Sequence, residues 1–266
     1  MVAVFLCKNH LGNRTLLKEF CIICRFFNIF NITDILIMRV KSIIFALVGF
    51  FVYVAVVIIA FYPGEKNEVG ATPAEKYTVV IDAGHGGIDG GAEGVNTKVA
   101  ESDINLALAE SLAEILQRGG FNVVMTRTTS GGLYGLPVPG FKKRDMQKRA
   151  EIINKSSPTV VVSVHQNSCT QKARRGSLVY YRAGDERAYK FAAAVCQTIN
   201  SMPEKSRDCV PMSGDFYILN NSPCPAVITE CGFLSNGEDE KLLCDELYRE
   251  KFAYAVYLGI LDYIMN

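Results

Sequence analysis

Three short apolar runs, far apart along the chain, each lead directly into residues able to bind a metal or move a proton. Thr78 to Ile81 runs into Asp82-Ala83-Gly84-His85-Gly86-Gly87, Thr159 to Val164 into His165-Gln166-Asn167-Ser168, and Ala226 to Thr229 into Glu230-Cys231-Gly232-Phe233. Short runs rich in Val, Ile and Thr read as strands buried on both faces. Such strands belong to parallel sheets covered by helices. If all three are parallel, their carboxyl ends line one crevice, where open α/β sheets place their chemistry.

The pattern around these runs agrees with that class. From Tyr77 onward strand and helix signals alternate, which predicts a single α/β domain with a mainly parallel twisted sheet flanked by helices. The stripe Ile104, Leu106, Leu108, Leu112, Ile115 and Leu116 predicts a helix from Glu101 to Arg118, stopped by Gly119-Gly120. Further strands are expected over Asn122–Thr126 and Ser177–Tyr181. Helices are expected over Lys142–Lys155, Asp185–Asn200 with Asp185 as cap, and Leu247–Ile264. Met202 to Asp215 carries no clear period and reads as irregular.

The amino end is of another kind. Ser42 to Tyr62 holds no formal charge and is dominated by Ile, Val, Phe and Ala, and about twenty such residues suffice to cross a bilayer. Arg39 and Lys41 precede the run, so the positive-inside rule puts the amino end in the cytoplasm and the rest of the chain outside. Residues 38–63 are thus read as a transmembrane anchor, with a cleaved signal peptide as the competing reading. The run is longer than an h-region usually is and no Ala-x-Ala site follows it. Residues 64–76 read as a linker. Because Met38 opens a well-formed targeting segment, residues 1–37 are read as an upstream extension of the reading frame.

Charge is nearly balanced, with 28 Lys and Arg against 27 Asp and Glu, so nothing predicts a nucleic-acid partner. Lys172-Ala173-Arg174-Arg175 is the basic cluster nearest the expected crevice, and such clusters are usually solvated loops. Six cysteines (Cys169, Cys196, Cys209, Cys224, Cys231, Cys244) follow the apolar span without C-x-x-C spacing, which argues against a thiolate zinc site. They are read as free, mostly buried thiols, with Cys209–Cys224 the pair to check first.

Beyond residue 77 the only histidines are His85 and His165, each placed just after a strand. Two imidazoles at equivalent positions, joined by a carboxylate, outline a zinc hydrolase site, since catalytic zinc commonly takes His, His and an acid and keeps one position open. The acid is open on spacing alone: Glu101, Asp82, Asp89 and Asp103 all compete, and an acid in the first turn of a helix often serves only the helix dipole. Glu230 leaves a buried strand, where an unpaired charge is costly. It therefore reads either as a general base near the metal or as half of an ion pair with Arg144 or Arg149.

Five blocks, in order, carry a family resemblance: Asp82-Ala83-Gly84-His85-Gly86-Gly87, Glu101-Ser102-Asp103-Ile104-Asn105-Leu106, Met125-Thr126-Arg127, Ser163-Val164-His165-Gln166-Asn167, and Thr229-Glu230-Cys231-Gly232-Phe233-Leu234-Ser235-Asn236. Together they resemble the zinc-dependent N-acetylmuramoyl-L-alanine amidases of bacterial cell walls, over essentially Tyr77 to Asn266. The resemblance implies Zn2+ held by His85, Glu101 and His165, and Glu230 as catalytic base. Asp82 and Asn167 are candidates to orient the ligands from behind. Ala83, Gln166 and Cys231 depart from the residues most common in the family, and none of them is a ligand.

The implied reaction is hydrolysis of the amide between N-acetylmuramic acid and L-alanine in peptidoglycan. A membrane helix, a linker and a bare catalytic domain, with Gly90-Gly91-Ala92-Glu93-Gly94, resemble the sporulation subgroup. That subgroup strips peptides from spore-cortex muramic acid so that muramic lactam can form. The resemblance further implies a deacetylase acting next, a helper protein that promotes zinc binding, and a catalytic domain on the wall side of the membrane. The alternatives are another zinc-dependent cell-wall peptidase or deacetylase, and a metal-stabilised, non-catalytic wall-binding or partner-binding module.

Overall fold

The computed structural model describes residues 36–54 and 77–266. The chain divides into an amino-terminal unit and a unit from Gly70 to Asn266. In the first, helix α1 spans Leu36–Val54, 19 residues of mean hydropathy 2.0 with exposed side chains. At 1.5 Å per residue it is about 28 Å long, close to the thickness of a bilayer's hydrocarbon core. It covers the first part of the expected span, whereas residues 1–35 and 55–76 lie outside the described residues.

The second unit is built on a six-stranded sheet in the order β2-β1-β3-β6-β4-β5. Its strands are β1 (Thr78–Ala83), β2 (Asn122–Met125), β3 (Val160–Asn167), β4 (Leu178–Arg182), β5 (Pro211–Gly214) and β6 (Ala226–Phe233). The first three and β6 run parallel, whereas β4 is antiparallel to β6 and carries β5 parallel to itself. The sheet is therefore mainly parallel, as the buried Val and Ile runs require.

Helices α2 (Glu101–Arg118), α4 (Glu186–Asn200) and α7 (Glu246–Met265) cover one face over the larger core. The stripe of α2 is buried at Ile104, Leu108, Leu112 and Leu116, each four residues from the next. Asp185 caps α4 as expected, accepting from the backbone N–H of Arg187 and Ala188. Helices α3 (Phe141–Lys155) and α5 (Tyr217–Asn221) flank the smaller core on the other face, around Val80, Val161 and Ile228. Helix α6 (Gly237–Cys244) begins at Asn236, whose side chain caps it.

Three elements depart from expectation. β5 and α5 take up part of the stretch that reads as irregular and the residues just after it, and α6 has no strong periodic signal. β5 opens on Pro211 and closes on Gly214, which fits an edge strand. The strands also run further than their β-branched cores. β3 continues through His165 and β6 through Glu230, and these two residues pair directly, with a register shift between His165 and Asn167.

The six cysteines of this unit are free thiols, but the pair singled out in the sequence is not the close one. Cys209 belongs to the larger core and Cys224 packs against the smaller one. The sheet separates them. Cys209 instead meets Cys196.

Candidate active site

Four side chains from four segments converge where β1, β3 and β6 end. His85 follows β1 in a turn so tight that its own backbone is left-handed, at φ 59°. That conformation is uncommon for a residue with a Cβ and concentrates at functional sites. His85 Nδ1 lies 3.0 Å from Asp89 Oδ2, which fixes the ring and turns Nε2 toward Glu101 Oε1 at 3.3 Å. Asp89 in turn pairs with Lys142 Nζ at 3.0 Å.

Glu101 is the first residue of α2 yet is only 3% exposed. It lies one turn before Asn105 on the stripe that faces the sheet, and Asp103 points to solvent. Its Oε2 accepts from Ala92 N at 2.8 Å, and its Oε1 from Gln166 N at 3.1 Å and Asn105 Nδ2 at 3.3 Å. His165 Nδ1 is 3.0 Å from the same Oε1. The two imidazole rings meet edge to face with centroids 5.0 Å apart. Gly84 makes this approach possible, because a Cβ there would overlap the His165 ring.

One donor atom from each of His85, Glu101 and His165 lies within 4.8 Å of the others. Tetrahedral zinc with bonds near 2.0–2.1 Å sets its ligand atoms about 3.4 Å apart. Each imidazole nitrogen stands 3.0–3.3 Å from Glu101 Oε1 and all three donor atoms lie within 4.8 Å of one another, a spacing that fits such an ion. Burial alone would depress the pKa of His85, but Glu101 and Asp89 raise it above its ordinary value. Burial would raise Glu101, but His165 and His85 hold it far below the usual carboxylate range. The cluster thus holds a positive charge strongly, whether proton or metal.

Glu230 faces His165 from the neighbouring strand and is half-buried. Its Oε2 is shielded from solvent and has no hydrogen-bond partner among the described residues. Burial pushes its pKa up, with Glu101 adding to the rise while His165 and His85 oppose it. Neither arginine considered as its partner meets it. Arg149 binds Asp82 and Asp145, and Arg144 donates to the carbonyls of Tyr134, Leu136, Val138 and Pro139.

His85, His165 and Glu230 line a cavity of about 250 Å³ on the face of the smaller core. Lys142 and Met146 of α3 form one wall, Phe216, Tyr217 and Ile218 the other, and Ile228 contributes to the lining. Phe216 packs on Tyr180 with ring centroids 5.0 Å apart.

The two residues expected behind the ligands sit differently. Among the described residues the Asp82 side chain makes no hydrogen bond to the side chains of His85, Glu101 or His165. It accepts from Thr126 and Arg149 through Oδ1 and from Ser163 through Oδ2. Among the described residues no side-chain hydrogen bond joins Asn167 to His85, Glu101 or His165; its carbonyl accepts from Leu234 N. The basic cluster of the β3–β4 loop is partly pinned down, with Arg175 paired to Asp239 and Arg174 lying over the Phe233 ring.

The sequence places Arg127 in a motif block and Arg149 as a possible partner of Glu230, but it does not show that these two buried arginines hold the turn before His85. Arg127 donates to the carbonyls of Ala83, Gly84 and Ser102. Arg149 donates to the carbonyls of Ala83 and His85. The signal for Arg149 was its place four residues after Asp145 on α3, an i,i+4 pair that reads equally well as surface charge.

With this geometry in hand, comparison with known proteins is specific. The N-acetylmuramoyl-L-alanine amidase family matches residues 79–262. The germination-specific N-acetylmuramoyl-L-alanine amidase of Bacillus subtilis is 28% identical over 220 residues, 82% of this chain and 92% of the relative. Among solved structures, the CwlD amidase of Clostridioides difficile in complex with the GerS lipoprotein is 33% identical at a TM-score of 0.67, covering 71% of this chain and 98% of that one. The catalytic domain of CwlV, an N-acetylmuramoyl-L-alanine amidase from Bacillus (Paenibacillus) polymyxa, is 29% identical at a TM-score of 0.63, covering 71% and 98%.

Proposed function

The chain belongs to the N-acetylmuramoyl-L-alanine amidase family, enzymes acting on peptidoglycan, and we propose that His85, Glu101 and His165 hold its zinc ion and that Glu230 is its general base. The observation that carries this reading is the orphaned carboxylate oxygen of Glu230, a residue that lines the same cavity as His85 and His165. A zinc ion bound there supplies the positive charge that polarises the amide carbonyl and acidifies a water molecule. Glu230 takes that water's proton and returns it to the departing amine of L-alanine, which a carboxylate within reach of both atoms can do. Its raised pKa suits the exchange, because a proton accepted by Glu230 is more stable than on an exposed carboxylate.

Asp89 fixes which ring nitrogen of His85 faces the metal, and Asn105 and Gln166 orient Glu101. Arg127 and Arg149 keep the turn rigid so that the left-handed backbone of His85 persists.

The biological role proposed is peptide removal from spore-cortex muramic acid ahead of muramic lactam formation, supported by likeness to the Bacillus subtilis and Clostridioides difficile proteins. A deacetylase would act on the product. The latter is in complex with a lipoprotein, which supports a helper protein as a partner of this chain.

The test is digestion of peptidoglycan by the full chain in detergent, beside Glu230→Gln, with and without zinc and with products identified by mass. Zinc-dependent release of stem peptides beginning at L-alanine is expected, with the variant about 10²–10⁴-fold slower but still binding zinc. Equal rates for variant and wild type would remove Glu230 from the reaction.

A further inference from the structure

Cys196 lies on the buried side of α4, and Cys209 on the segment leading into β5. Each is 3% exposed and belongs to the larger core. Their sulfur atoms are 2.7 Å apart, closer than two non-bonded sulfurs pack and near the reach of a covalent bond of about 2.05 Å. The approach does not rest on the sulfurs alone. Asn200, the last residue of α4 and one turn after Cys196, donates through Nδ2 to Cys209 O at 2.9 Å and accepts from Cys209 N at 2.7 Å. This two-way clamp holds the Cys209 backbone against α4 whatever the state of the thiols.

We propose that Cys196 and Cys209 are a dithiol–disulfide pair whose oxidation ties α4 to the segment entering β5. One thiolate attacks a sulfur of an oxidant disulfide and releases the first oxidant thiol. The second cysteine then displaces the other, so that the pair gives up two electrons and two protons and the oxidant becomes two thiols. The sulfurs are buried, so the exchange proceeds as the segment docks or when it opens. The tie closes a short loop, the two cysteines being 13 residues apart. From Cys209 the chain runs through β5 directly to Phe216 and Tyr217, which line the active-site cavity. Oxidation therefore adds a covalent tie to the Asn200 clamp at the start of the segment that leads to this wall.

The full chain, purified in detergent under reductant, is incubated with oxidised glutathione in sub-denaturing urea. It is then denatured, alkylated and mapped by mass spectrometry without reduction. A reductant-sensitive crosslink joining the Cys196 and Cys209 peptides is expected, with Cys169, Cys224, Cys231 and Cys244 alkylated. Thermal melts should show the oxidised protein roughly 6–12 °C more stable than the reduced one, from the loss of loop entropy in the unfolded chain. Cys196→Ala/Cys209→Ala should lose that redox dependence. Alkylation of both cysteines after oxidation, or a crosslink from Cys209 to another cysteine, overturns the proposal, and the mapping needs no variant that might fail to fold.

Discussion

At the scale of single residues, the spacing of His85, Glu101 and His165 depends on an atom that is absent. Gly84 precedes His85 and its missing Cβ is where the His165 ring lies. In Gly84→Ala the ring must move, and a displacement of about 1 Å at a reacting centre can cost about a hundredfold in rate. Gly90→Ala in the same loop is the control, because its Cβ would meet only that of Ala100 at 3.6 Å, an ordinary contact. The expected outcome is low zinc retention after dialysis and a rate near one hundredth for Gly84→Ala, with Gly90→Ala near wild type. Equal zinc content and rate in the two variants would refute the steric argument. Much at this scale was legible: His85, His165 and Glu230 each stood at the end of a β-branched run. Glu101 and Asp103 were left as rivals although the stripe separates them, since Glu101 lies four residues before Asn105 on the buried face.

At the scale of elements, α3 is tied to β1 by charge inside the protein. Arg149 and Asp82 are each 1% exposed, with Nη1 and Oδ1 2.7 Å apart. Burial alone would raise the pKa of Asp82, but Arg149, Ser163 and Thr126 together lower it from 3.8 to about 2. A folded-state pKa below the unfolded one gives stability that is fully present above about pH 4 and is lost as pH falls toward 2. Arg149→Leu leaves Asp82 buried without its partner. The expected loss is about 3–5 kcal/mol, or roughly 6–20 °C in Tm near neutrality. In metal-free samples the gap between wild type and variant should narrow as pH drops from 5 to 2, because protonation of Asp82 removes the unpaired charge. A constant gap across that range would place the stabilisation elsewhere. The sequence offers Arg149 as a partner for Glu230 and not for Asp82, because only the tertiary fold decides which buried acid α3 meets. β5 escaped for a related reason. Pro211-Met212-Ser213-Gly214 has no β-branched residue, and its strand form follows from pairing with β4.

At the scale of the whole molecule, the question is whether α1 keeps the domain built on the parallel sheet at a membrane. Helix α1 has the length and apolar composition to cross a bilayer, and Arg39 and Lys41 lie near its start. The same features serve a signal peptide, so the discriminating property is retention. A retained helix keeps every active site within tether reach of one membrane and confines hydrolysis to the nearest wall layers. A cleaved one lets the enzyme diffuse through the wall. The expected outcome for the native protein is a membrane pellet fraction that resists alkaline carbonate, with intact mass including the apolar segment. Protease added to protoplasts should remove the domain from Tyr77 onward, since the charges before the span hold the amino end inside. A soluble protein whose amino terminus begins after the apolar run would establish the cleaved form, and the domain's reach would then be set by diffusion.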